Sequence, residues 1–311
     1  MLTADQLVSC VIPVFNHEST VVTALSSICL QSHEHIEIIV VDDGSSDNSV
    51  EAIKSMEDPR IRLIELGQNC GISTALNTGI SESNGAFIAR MDADDFSFAH
   101  RFSTQLDYFA RYPELGVLGS QVHWENGNTN EALFPTRGED FRAEFFFRNP
   151  IAHPSVMFRR EVLSEERGPY NTNLRFAQDF ELWSRLLVRT EIYSTSETLV
   201  RLGSPKKVDP AKAINQQIVG SAERRKVCKK LGIEAVPSFE NVIHLIGWLV
   251  KFAGVLSRKR ITSRRALSRA AWDSFAAWLI RNASVRSGMG SGNVGTGMNF
   301  RSNLKNRHQL K

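Results

Sequence analysis

Two clusters of aspartates carry the strongest chemical signal in the sequence. Asp42-Asp43 and Asp92-Ala93-Asp94-Asp95 each follow a short apolar run, Ile36–Val41 and Ala86–Met91 respectively. Carboxylates this close repel and raise one another's pKa unless something cationic compensates. Capping of a following helix accounts for one aspartate at each place. It accounts poorly for three acids in four residues. A divalent ion with hard oxygen ligands accounts for them well, and Mg²⁺ held by one or two carboxylates usually completes its shell with substrate phosphates. The residues alone therefore point to a metal–diphosphate site.

The elements around these clusters explain how they meet. Val8–Val14 and Ile36–Val41 are apolar almost without a break, as expected of strands covered on both faces in a parallel sheet. Ile61–Leu66 and Ala86–Met91 read as further strands, with helices expected over 19–30, 47–56 and 73–81. Strands alternating with helices at this spacing predict right-handed βαβ units and a doubly wound sheet. Ligands of such sheets sit beyond the carboxyl ends of the strands, where both aspartate clusters fall. Further along, the pattern predicts helices over 99–111, 139–147 and 178–188, and strands over 116–122 and 156–158.

The composition is globular: 311 residues, 42% hydrophobic and 23% charged. That excludes fibrous, disordered and disulfide-scaffold classes. No run of ~18 unbroken apolar residues predicts a membrane span, and no basic N-terminal segment predicts a secretory signal. Cys10, Cys29, Cys70 and Cys228 share no metal-finger spacing and read as reduced thiols of a cytoplasmic protein. The glycines of residues 287–299 lack the Lys-Ser/Thr of a phosphate-binding loop and read as a tail. The net charge of +3 hides an asymmetry. Residues 1–200 hold 15 Lys+Arg against 29 Asp+Glu, whereas residues 201–311 hold 22 against 5. The break predicts a boundary near residue 205, with an acidic domain over 1–205 and a basic, helical region over 206–311.

Six stretches of the acidic part, in order, resemble the family 2 glycosyltransferases. They are Val11-Ile12-Pro13-Val14-Phe15-Asn16, Val41-Asp42-Asp43-Gly44-Ser45-Ser46-Asp47, and Asn69-Cys70-Gly71 running to Ala75-Leu76-Asn77-Thr78-Gly79. They continue with Ile88-Ala89-Arg90-Met91-Asp92-Ala93-Asp94-Asp95, His153-Pro154-Ser155-Val156-Met157 and Gln178-Asp179-Phe180-Glu181-Leu182-Trp183. The resemblance implies a GT-A fold: a doubly wound, mostly parallel α/β sheet, here with a C-terminal helical extension. It also implies an inverting transfer of a sugar from a nucleotide diphosphate donor. By the same resemblance Pro13 and Phe15 line the nucleobase slot, and Asp42 accepts a hydrogen bond from a uracil or thymine N–H. Asp92 contacts the ribose, with Asn69 also on the donor side. Asp94 coordinates Mg²⁺ or Mn²⁺, and Asp179 is the base that takes a proton from the acceptor hydroxyl.

Two departures stand out. Gln178 occupies the place where many relatives have Glu, and Leu76 the place where many have Arg; Arg90 is the substitute candidate for a phosphate contact. Other readings compete at several positions. Asp43 and Asp47 read as turn and helix-start residues, and Asp42 has the same alternative. Glu181 is the rival base. His153, ahead of a proline, is expected in extended backbone and is either acceptor-side or structural. Trp183 is assigned to core or to the acceptor side. Gly71 and Gly79 read as turn or helix-end residues.

In the basic part, residues 211–231 read as a helix, and residues 242–256 (VIHLIGWLVKFAGVL) read as another with one narrow polar stripe. Arg258, Lys259, Arg260, Arg264, Arg265 and Arg269 follow, and then Trp272, Phe275 and Trp278. Apolar helices with Trp and flanking basic residues suit an anionic membrane surface, here the cytoplasmic face. Packing on the catalytic domain or in a homodimer is the alternative. No nucleic-acid reader motif is present, and the acidic part would repel phosphate. The expected function is thus sugar transfer to a glycan or lipid-linked acceptor in cell-surface polysaccharide synthesis. The alternatives are a sugar nucleotidyltransferase and a nucleotide-sugar-binding module without turnover. Against the former, Phe15-Asn16-His17-Glu18 stands where its Gly-rich loop would be.

Overall fold

The computed structural model describes residues 6–124, 149–163 and 168–203, together with residues 220, 222 and 226. The helices expected at 139–147 and over 242–256, and the boundary at 205, lie outside the described residues; of the helix expected over 211–231, Gly220, Ala222 and Lys226 are described and helical.

Among the described residues eight strands form one sheet. They are β1 (Val8–Val14), β2 (Ile36–Asp42), β3 (Ile61–Glu65), β4 (Phe87–Arg90), β5 (Phe96–Ser97), β6 (Leu115–Trp124), β7 (Met157–Arg159) and β8 (Glu191–Leu202). Their order is β3-β2-β1-β4-β7-β6-β8-β5. The first four in that order are mutually parallel, and β6 and β8 are parallel to each other. Strand β7 runs antiparallel to both β4 and β6, and β5 antiparallel to β8. The parallel half is the one expected from the apolar runs.

Two-sided burial is what makes those runs continuous. Val8, Cys10, Ile12 and Val14 of β1 face one layer with α1 (Val21–Cys29), α2 (Ser49–Lys54) and α4 (Arg101–Arg111). Val11 of β1, with Ile39 and Val41 of β2, faces the other layer, built from α3 (Ile72–Ser81) and α5 (Gln178–Leu186). Alternation with period two thus feeds two cores rather than a core and solvent. Gly79 of α3 is where helix and sheet come closest: a Cβ there would lie 2.4 Å from a Val11 methyl. Gly79 is therefore a packing residue inside α3, not a helix-end turn. Gly71, with φ of 89°, is the turn residue that precedes the helix.

Candidate active site

The carboxyl ends of β1 and β2 are level, and β4 ends three residues earlier along β1. Val14 pairs with Asp42, and Val11 with Arg90. The loops leaving β1 and β2 are tied to each other. The Asn16 N–H donates to Ser45 Oγ (2.9 Å), and Asn16 Oδ1 accepts the Ser46 N–H (2.8 Å). The Glu18 N–H donates to Asp47 Oδ2 (3.0 Å), so Asp47 serves the turn as expected. Gly44, at φ 76°, is pressed against the next loop: a Cβ there would lie 2.5 Å from the backbone of Gln68. No other residue fits that approach. This contact brings Asn69, exposed, beside the Asp42 loop. Asp43 holds the same loop from below, its two carboxylate oxygens accepting the N–H groups of Cys70 (2.7 Å) and Gly71 (2.9 Å).

Asp42 is different. Its Oδ2 accepts the N–H groups of Gly44 and Ser45, both at 3.1 Å. Its Oδ1 is buried and has no hydrogen-bond partner among the described residues. A buried carboxylate oxygen left in this way has the capacity to accept a donor from outside the fold. Beside it, Pro13 is half-buried at the end of β1, and Phe15 is 43% exposed, a large apolar ring left open at the rim.

The second cluster follows β4. One ligand oxygen each from Asp92, Asp94 and Asp95 lies within 4.8 Å of the others. Burial and the neighbouring Asp92 charge push the Asp95 carboxyl up to about 7. Asp95 Oδ1 accepts the Gly203 N–H (2.9 Å), and its buried Oδ2 has no hydrogen-bond partner among the described residues. Crowded hard oxygens with one orphaned acceptor fit a divalent cation. The end of β8 closes this loop from behind, since a Cβ on Gly203 would lie 2.3 Å from the Asp94 carbonyl oxygen.

Arg90 corrects an expectation. It is 3% exposed, and both terminal nitrogens of its guanidinium bond Asp92, one of them at 2.9 Å. It holds Asp92 in place and has no open path to a phosphate. Leu76, at the other expected phosphate position, is fully buried in the α3 layer. Arg101 of α4 supports the same strand end. It is fully buried, and it donates to Arg90 O (2.8 Å), Val156 O (3.2 Å) and Gln105 Oε1 (3.1 Å). Burial pulls its pKa down to about 10, which leaves it charged at neutral pH.

Asp179 lies in the first turn of α5 and is half-buried. The residue before the helix, Ala177, has φ 55° and ψ 28°, a left-handed conformation that costs a non-glycine residue ~1–2 kcal/mol. Strain of this kind persists where the surroundings over-determine the backbone, often at functional sites. Asp179 Oδ2 accepts from Asn149 Nδ2 at 2.6 Å. Burial raises the Asp179 pKa above the ordinary aspartate value, against the Phe180 N–H, the Arg90 charge and the Asn149 bond, which favour the ionised form. Glu181, the rival, is 8% exposed and paired with Arg185 (2.8 and 3.2 Å), so it is not disposed to act as a base.

His153 opens a 3₁₀ turn (His153–Ser155) and is not extended. The Ser155 N–H and Oγ both donate to Ala152 O, at 3.0 and 2.8 Å, and these bonds override the bias that the proline imposes. Burial and the Arg90 charge hold the imidazole pKa well below its usual value, so the ring is neutral. Its Nε2 lies 2.8 Å from the Tyr170 hydroxyl. Asn77 of α3 grips both backbone groups of Tyr170, accepting its N–H (2.8 Å) and donating to its carbonyl (2.7 Å). Trp183 takes the core reading rather than the acceptor-side one. It is fully buried, stacked on Phe158 at 5.7 Å and edge-on to His153 at 5.9 Å. It belongs to the core and offers no surface to an acceptor.

Asn149, Arg101 and Tyr170 went unmarked in the sequence. Only Asn77 stood in a motif, where its neighbours drew the attention. A buried arginine in an amphipathic helix is the one signal that would have found Arg101.

Comparison with known proteins agrees with this geometry. The chain is 30% identical over 201 residues to an uncharacterized glycosyltransferase of Haemophilus influenzae, covering 58% of this chain and 60% of that protein. It thus spans less than two thirds of that relative's length. The fold is shared with residues 1–349 of S. aureus TarS in complex with UDP-GlcNAc, at 17% identity and TM-score 0.59, covering 70% of this chain and 66% of that one. It is shared too with the mannosyltransferase PcManGT of Pyrobaculum calidifontis in complex with GDP-Man and Mn²⁺, at 18% identity and TM-score 0.57, covering 91% and 88%. The architecture is therefore the GT-A fold. Residues 9–166 match the model of glycosyl transferase family 2, and the chain belongs to that family.

Proposed function

We propose that the chain transfers a sugar, with inversion, from a nucleotide diphosphate donor to a hydroxyl of a glycan or lipid-linked acceptor. The observation that carries this reading is an orphaned Asp42 oxygen at the end of β2 together with a three-carboxylate cluster after β4, the two strands that flank β1. One end suits a nucleobase N–H and the other a metal-bound diphosphate, so a nucleotide sugar laid between them is held at both. Phe15 and Pro13 flank the base; Asp92, held by Arg90, meets the ribose. Asp94, with Asp92 and Asp95 beside it, would hold Mg²⁺ or Mn²⁺, which when bound neutralises charge on the departing nucleoside diphosphate. Asp179 takes the acceptor proton as the new glycosidic bond forms. A single displacement of this kind requires no enzyme nucleophile, unlike the covalent route of retaining glycosidases.

The nucleobase assignment is tested by titration with UDP, CDP and GDP. Uracil presents an N3–H to Asp42, whereas cytosine presents an acceptor lone pair there. UDP is expected to bind at least ~10-fold more tightly than CDP, the range of discrimination a polar site exerts when a partner is missing. The preference should vanish in Asp42→Ala. Equal binding of UDP and CDP by the native chain would remove Asp42 from the base pocket. Tighter binding of GDP would make guanine, whose ring also carries an N–H, the natural base.

The acceptor side rests on the basic part of the chain. Its 22 Lys+Arg against 5 Asp+Glu, beside apolar stretches that carry Trp248, Trp272 and Trp278, support attachment to an anionic leaflet. Among the described residues no helix is long and apolar enough to cross a membrane. The full-length chain should co-sediment with phosphatidylserine-containing vesicles at low salt and be released as salt rises, because exposed charges are screened over ~8 Å at physiological ionic strength. Retention in the supernatant at low salt would leave those stretches as protein contacts.

A further inference from the structure

We propose that Asn149 is a positioning residue for the Asp179 carboxylate, fixing its plane and favouring its ionised form. The inference rests on the reading of Asp179 as the base. Asn149 Nδ2 lies 2.6 Å from Asp179 Oδ2, a short bond between segments thirty residues apart. The amide is oriented from its other end, where Oδ1 accepts the Ile151 N–H at 3.4 Å. Ile151 and Ala152 are buried, at 1% and 8% exposure, so the segment that carries the amide is anchored in the core. Only one assignment of the amide oxygen and nitrogen satisfies both partners, because Asp179 can only accept when ionised and the Ile151 N–H can only donate.

The choice of residue type has a consequence. Asn does not titrate, so its donor is present at every pH, and it adds no charge of its own to the cleft. The other groups around Asp179 are already committed. Arg90 is bound to Asp92, His153 is neutral and paired with Tyr170, and Glu181 is paired with Arg185. The Arg90 charge favours ionisation of Asp179, while burial opposes it. The amide of Asn149 is the one neutral side chain among the described residues shown donating to the carboxylate. Without it, Asp179 would keep the Phe180 N–H and the Arg90 charge in favour of its ionised form but would hold its proton to higher pH.

The test is steady-state turnover of a panel of UDP- and GDP-sugars in Mn²⁺, read as released nucleoside diphosphate across pH 4–9. Asn149→Ala should lower kcat at neutral pH by about 10-fold with the donor KM unchanged. Its acid limb should move upward by about one to two pH units, the scale of one hydrogen bond to a charged group. Asn149→Asp should move the limb further, since two carboxylates in contact share a proton. In an Asp179→Asn background, Asn149→Ala should have no additional effect on kcat. Thermal melting and UDP titration establish that each variant folds and binds donor. An unshifted acid limb in both Asn149 variants, or an equal loss in the Asp179→Asn background, would overturn the proposal and leave the base reading standing. Near-native turnover by Asp179→Asn alone would overturn the base reading, and the role of Asn149 with it.

Discussion

Replacing Asp94 with alanine should reduce metal-supported donor turnover by about 10³ or more, the scale expected when charge stabilisation of a departing diphosphate is lost. The same change should not weaken the fold. Asp94 lies in a cluster whose carboxylate oxygens come within 4.8 Å of one another, and burial, then the Asp92 charge and to a smaller extent the Asp94 charge push Asp95 up to about 7. Removing one charge relieves that repulsion. The thermal midpoint of Asp94→Ala without metal should therefore equal or exceed that of the native chain, while its released nucleoside diphosphate falls to background. A variant that loses activity and stability together would indicate a structural role for Asp94. One that keeps its activity would move the metal to another site.

The second large effect is expected at Asp179. Asp179→Asn preserves size and most hydrogen bonding but removes basicity, and turnover should fall by ~10²–10⁴ with little change in donor binding. With Asp179 as the base, its raised pKa should place the acid limb of turnover above the range of an ordinary aspartate. The sign for stability is the opposite of that for activity. An acid whose folded pKa is raised contributes stability when protonated, fully present below its unfolded pKa and lost as pH rises through its folded pKa. Asp179→Asn, neutral throughout, should then be at least as stable as the native chain at neutral pH. Thermal melts of both proteins at pH 4 and pH 8 would show the native chain losing more ground than the variant at the higher pH, since Asp95 titrates in both. Near-normal transfer by Asp179→Asn would return the role to His153 or Glu181, both of which the geometry disfavours.

What the sequence disclosed follows from how far each residue's role depends on distant partners. Strands β1 and β2 were legible because two-sided burial writes a continuous apolar run. The aspartates at strand ends were legible because adjacency of like charges is visible without a fold. Strand β8 was not legible. Its middle, Ser194-Thr195-Ser196-Glu197, looks like a loop, yet Ser194 and Thr195 are buried at 1% and 0% exposure. Thr195 is satisfied locally, its Oγ1 donating to Glu197 O (3.0 Å) and its carbonyl accepting from Gln121 (2.9 Å), where the pairing of β6 and β8 shifts register. Helix α2 is shorter than its periodicity suggested because Asp47 turns back to the Ser49 N–H (3.0 Å) and hydroxyl instead of entering the helix.

The site divides in the same way. Asp42, Asp92, Asp94 and Asp179 carry their chemistry in their type and motif. Arg90 was misread because a cation near acids suggests a phosphate contact, and only burial reveals it as the partner of Asp92. Trp183 differs from a sugar platform only in being covered. Asn149 and Asn77 draw their roles from residues 30 and 93 positions away, which no local pattern records.

The central claim is that a nucleotide sugar bound between Asp42 and the Asp92–Asp95 cluster is cleaved there. Its most direct test is nucleoside diphosphate released from a panel of UDP- and GDP-sugars by the full-length chain, in Mn²⁺ or Mg²⁺ and in excess chelator. Release that requires the ion and disappears in both Asp94→Ala and Asp179→Asn is the predicted result. Undiminished release in chelator, or no release from any donor by a chain that still binds UDP, would contradict it.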